Sequence, residues 1–211
     1  DGEVQSVGTA TATLPSGCSW CVAQSGATAI QFPSSNSLVQ DENQWKNDAI
    51  LQGHYIGPSG SLPSSIDITY GSTWFIDQGI DLKSLDISNE GGTLVVTGAV
   101  KETGNQADSN YTLSGNCDQS CSCRAMAQMI GLSSSGVSLH GEGTANGQLQ
   151  SQGVIFAPNG PATNVGNASM QAAVVANSAQ IGGAGAMTAD TCAAQAQISI
   201  PGYNIRGYGE Y

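Results

Sequence analysis

Positive charge is scarce in this chain. Five Lys and Arg stand against sixteen Asp and Glu, a net charge of -11. That excludes the basic footprint of a DNA- or RNA-binding surface. It also excludes the Lys/Arg-rich face of an anionic-membrane binder. Only 10% of residues are charged, too few for coiled coils or long solvated helices. No apolar run reaches the roughly 18 residues needed to cross a bilayer. The longest candidate, Met170 to Met187, is broken by Asn177, Gln180 and three glycines.

Catalytic signatures are missing as well. There is no Gly-x-Ser-x-Gly elbow, no Cys-x-x-Cys-His and no Asp-x-Asp-x-Asp-Gly loop. The two histidines, His54 and His140, sit in strand-like segments and read as structural. The carboxylates are scattered from Asp1 to Glu210, with no visible acid pair. No enzyme activity, no cofactor and no metal is expected.

What is present is a polar, weakly charged, glycine-rich chain. Gly is 28 of 211 residues and 39% of the chain is hydrophobic. The polarity comes from Ser, Thr, Asn and Gln, which suits extended backbone held by main-chain hydrogen bonds. Alternating apolar positions separate it from a disordered composition. Alternation is clear in Ile66–Tyr70 and the late AQAQISI segment, and runs with one slip through Ile80–Ile87. Asn89–Gly92 reads as the turn of a hairpin, and Asn146-Gly147 as a type I′ hairpin turn. Ser37 to Ile50 carries helical spacing through Leu38, Glu42, Trp45 and Ala49, giving way to a strand pattern from Asp48 to Ile56. Asp118 to Leu132 is the strongest helix candidate, with Ala125, Met126, Met129 and Ile130 on one face.

These readings predict a mainly β chain of about ten to twelve short strands and one or two short helices. The expected fold is a single antiparallel β-sandwich or jelly roll over 15–211, preceded by an extended strand over 1–14. A β-solenoid needs a fixed repeat, and none is visible.

Six cysteines form an even set: Cys18, Cys21, Cys117, Cys121, Cys123 and Cys192. Their spacing lacks the paired knuckles of a zinc site. Disulfides in an oxidising, extracellular or cell-surface setting are the expectation. Asn110-Tyr-Thr and Asn167-Ala-Ser are candidate glycosylation sites.

Period-two alternation at the N-terminus suggests a strand free to pair outside its own subunit. Val4, Val7, Thr9, Thr11, Thr13 and Leu14 are its candidate contact residues. The resulting expectation is a secreted structural subunit polymerising head to tail by strand complementation into a filament or surface fibre. The alternative is an extracellular glycan-binding or adhesin module, with or without calcium. Its candidate stacking platform is Trp20, Trp45 and Trp74 with Tyr55 and Tyr70.

Overall fold

The computed structural model describes residues 4–6, 23–25, 35–102, 111–113, 127–141, 153–166, 169–182, 186–188, 198–200 and 203–205. Contacts divide the chain into two units, Asp1–Ser35 and Asn36–Tyr211. In the first, β1 (Val4–Ser6) pairs in parallel with β2 (Ala23–Ser25).

The second unit opens on α1 (Ser35–Gln52), then β3 (Tyr55–Ile56) and β4 (Ser65–Ile68). From there the chain visits three sides in rotation. β5 (Thr73–Ile76), β6 (Ile80–Asp81) and β7 (Asp86–Asn89) make one rung. β8 (Thr93–Val96), β9 (Val100–Lys101) and β10 (Tyr111–Leu113) make the next. β11 (Ala127–Gly131) and β12 (Val137–Gly141) follow on sides one and two. β13 (Gly153–Gly166) and β14 (Ser169–Gly182) each span both those sides, and β15 (Ala186–Thr188) returns to side one. β16 (Ile198–Ile200) and β17 (Tyr203–Ile205) form a separate antiparallel pair.

Each rung stacks in parallel on the one before. Side one runs β3-β5-β8-β11-β13-β14, side two runs β6-β9-β12-β13-β14, and side three is β4-β7-β10. This is a parallel solenoid, and it overturns the antiparallel sandwich. Alternation shows that a strand has an inside and an outside. It is silent on whether the neighbour across the edge runs parallel or antiparallel. The repeat is real but hidden by excursions of unequal length. Thr73 faces Thr93, a step of 20 residues, whereas Thr93 faces Gln128, a step of 35. Ala127 faces Gly153, a step of 26, and Gly153 faces Ala172, a step of 19.

Two further expectations fail for the same reason. The segments flanking Asn89–Gly92 are not a hairpin, because β7 and β8 lie on different sides and pair with different rungs. The segments flanking Asn146-Gly147 pair in parallel, Val137 facing Ala162. The helix expected over 118–132 is, in its described part, strand β11. Ala127 and Met129 face the interior while Ile130 is buried on the opposite face, so an apolar run without gaps mimics a helical stripe.

The interior is built of columns. Trp74, Leu94, Met129, Ile155 and Val174 occupy one position rung after rung. Ile80, Val100, Val137 and Ala162 form the column of side two. The rungs approach so closely at their corners that Gly136, at φ +66°, has no room for a Cβ against the Pro161 backbone.

Side one is buried on its outer face too. Phe75, Val95, Ile130 and Phe156 lie there in register, all buried. Among the described residues, α1 is the element with an apolar stripe left to cover them, through Trp45 and Ala49. Lys46 Nζ sits 5.7 Å above the Phe75 ring, and Gln52 Oε1 accepts from the Thr73 amide. At 1.5 Å per residue the 18-residue helix is about 27 Å long, and its contacts with side one fall on Tyr55 of β3 and on Thr73 and Phe75 of β5. It stops where the Gly53 amide donates to the Ile50 carbonyl and the His54 amide to the Ala49 carbonyl. Gly53 there sits at φ +75°, a glycine-dependent helix stop. The expected helix over Ser37–Ile50 is therefore present, and the strand expected from Asp48 shrinks to Tyr55–Ile56.

Candidate assembly edge and polar clusters

The solenoid has two unlike ends. At the C-terminal end, β14 pairs along one edge with β13, from Gly153 facing Ala172 to Val165 facing Gly182. Along its other edge, among the described residues, Ser169–Gln171 pair with β15. In a parallel ladder backbone groups alternate between the two neighbours, so an edge strand leaves about half of them without a ladder partner. Asn177, Ser178, Ala179 and Gln180 are exposed. Ala179 continues the side-two column of Ile80, Val100, Val137 and Ala162, and it is the member where burial ends. From Gly143 to Ala189 the sequence contains no Asp, Glu, Lys, Arg or His.

The N-terminal end is blunted. β3 contributes two paired residues. On side two the first strand is underlain by the 57–64 loop, which carries Pro58 and Pro63 and accepts a hydrogen bond from Gln78 Nε2 at the Gly60 carbonyl. Exposed Asp67 lies on β4. His54 stacks on Trp74, centroids 4.6 Å apart and planes 5° apart, finishing the inner column. His54 Nδ1 and Trp74 Nε1 are buried without hydrogen-bond partners among the described residues.

Two carboxylates meet opposite environments. Asp77 takes Lys46 Nζ at 2.9 Å and Tyr55 Oη at 3.0 Å on Oδ2, and Thr97 Oγ1 at 3.0 Å on Oδ1. The hydrogen bond from the Lys46 ammonium, above all, holds Asp77 below the usual carboxylate range, and the same bond raises Lys46. With three donors on its two oxygens, Asp77 is a tie between α1 and the first rungs rather than a free base. Asp41, only 6% exposed on the stripe of α1 that carries Trp45, has an Oδ2 with no partner among the described residues. Burial pushes its carboxyl up.

A raised folded-state value costs nothing in acid, where both states are protonated. The cost grows as pH climbs past the ordinary 3.8. Asp41→Asn is therefore expected to stabilise the protein at neutral pH and to make little difference below that value. Urea midpoints in the two conditions test this, and an equal effect in both would remove ionisation as the cause.

Most residues singled out from the sequence fall outside the described residues. These are the six cysteines, Val7, Thr9, Thr11, Thr13, Leu14, Asn110, Asn167 and Trp20. Val4 lies in β1 facing Ala23, and His140 lies in β12 facing Val165. The aromatic candidates do not gather on one surface: Trp45 is buried under α1, Trp74 packs against the interior, and Tyr70 is exposed at a turn. No three of His, Cys, Asp and Glu come together as a metal-holding group among the described residues. Nor is any helix among them long and apolar enough to cross a membrane.

The β14 edge escaped sequence reasoning. The uncharged stretch from Gly143 to Ala189 was its available signal, because natural edge strands are commonly guarded by charge. Comparison with family models, curated proteins and solved structures finds no match.

Proposed function

We propose that this protein is a non-catalytic structural subunit that associates with itself, and that the outer edge of β14 is its assembly surface. The observation that carries this reading is the unguarded edge. It is a 14-residue strand without a charged residue, exposed from Asn177 to Gln180 and, among the described residues, paired on its far side at Ser169–Gln171 alone. Edges of that kind template pairing with another chain, and natural proteins that stay apart protect them with Lys, Pro or bulges. The opposite end of this solenoid has such protection. A donor strand entering the groove of a β-sandwich has no counterpart in a solenoid, so strand complementation here takes the form of addition at an edge. The even set of cysteines supports an oxidising, extracellular setting for such a subunit.

The test is a pair of charges on the exposed edge, Ser178→Lys with Gln180→Lys, compared with the parent chain by sedimentation over a range of concentrations. The parent should shift to larger species as concentration rises. The variant should remain monomeric with an unchanged melting temperature. A parent chain that is monomeric throughout would overturn the reading.

A further inference from the structure

We infer that the occupant of the β14 edge is a second copy of this chain docked about a two-fold axis, the two β14 strands running antiparallel. This rests on the self-association proposed above and names its partner and symmetry.

Three observations support this arrangement, and the first sets it apart from a head-to-tail stack. The first is the mismatch between the ends. In a head-to-tail stack, β14 would face the N-terminal rung of the next copy. That rung offers two paired residues on side one and, on side two, a loop with Pro58 and Pro63. Proline lacks the amide that an added strand needs.

The second is charge. Each chain carries -11, so an interface between copies must avoid apposing acids. The N-terminal rungs carry Asp67, Asp77 and Asp81, whereas the C-terminal rungs from Gly153 to Gly182 carry no ionisable side chain. Joining C-terminal end to C-terminal end opposes no like charges, whereas joining N-terminal end to N-terminal end would.

The third is the shape of β14 itself. It follows side one and then side two, as does β13 beneath it, whose ladder shifts between Ala157 and Pro161. A two-fold axis through that corner lays the side-one half of one strand along the side-two half of the other. Both halves then pair at once in antiparallel fashion, the more stable ladder per residue. Such a contact is isologous and closes at two copies. Any fibre would then be built from pairs, joined through some other surface.

With the axis at Asn177, Gln180 faces the partner's Val174. A photo-crosslinking amino acid in place of Gln180, in the full chain, tests this by irradiation, gel electrophoresis and peptide mass spectrometry. The expected product has twice the chain mass and no larger species, with crosslinks joining the 169–182 segments of two chains. Crosslinks from position 180 to residues 53–68 of another chain would mean head-to-tail stacking. That result overturns the two-fold pair and leaves self-association at this edge intact. No crosslink between chains, together with monomeric sedimentation of the parent, would overturn both.

Discussion

Replacing Asn89 by Leu is expected to cost about 3 kcal/mol or more of folding stability, the largest effect of any conservative polar-to-apolar change among the described residues. Asn89 is fully buried, at 0% exposure, on side three. Its Oδ1 accepts from the Gly92 amide at 2.9 Å and from the Gly91 amide at 3.2 Å. Its Nδ2 donates to the Gln128 carbonyl at 3.3 Å. One side chain therefore satisfies the turn from side three to side one and reaches β11, beyond β8. Leucine has similar volume but no polar atoms, so it leaves the Gly91 and Gly92 amides without this acceptor. A buried unsatisfied group costs about 1–3 kcal/mol, and the loss compounds because the turn at Gly91, φ +99°, has no other side-chain acceptor shown. Asn89→Asp should be no remedy. It keeps the acceptors, loses the donor to Gln128 and places a charge in the core. Urea unfolding of both variants measures this. A loss below about 0.5 kcal/mol for the leucine variant would show that the turn finds other partners.

Trp45→Ala should be the most damaging single truncation in α1. The indole is 4% exposed and lies on the stripe of the helix directed at side one. Removing a buried Trp side chain costs about 3–5 kcal/mol, as lost transfer energy plus the cavity left behind. In a chain of this size that corresponds to a fall in melting temperature of about 6–20 °C. The effect should spread beyond the helix, since Phe75, Val95, Ile130 and Phe156 are buried on the outer face of side one. Hydrogen exchange should then quicken in β8 and β11 as well as in α1. If exchange rises in α1 alone, another element covers that face. The tie from Lys46 to Asp77 should slow complete release of the helix without restoring the lost packing.

How much of this was legible follows from particular segments. The alternation of Ser65–Ile68, exposed then buried twice over, matches the pattern read from its residues. The spacing of Trp45 and Ala49 marked a helical stripe that is indeed buried. β8 and β11 were harder. Leu94, Val95 and Val96 are all buried because one face of side one meets the interior and the other is covered, so no period survives to be read. The candidate site was less legible than the fold. An edge is a property of what does not lie beside a strand, and the charge-free span that marks β14 also holds β13, which is paired on both sides.

The sequence by itself determined local choices: extended backbone at β-branched and alternating segments, a helix where an apolar stripe recurs every three to four residues, and the charge-free span from Gly143 to Ala189. Those depend on neighbours within a few residues. Tertiary structure alone decided the direction of the strands and their partners. The contacts that stack Thr73 on Thr93 and Thr93 on Gln128 join residues 20 and 35 positions apart. Their energy comes from inner columns filling and from backbone groups pairing rung to rung. Neither leaves a mark at a fixed spacing once the excursions between rungs differ in length.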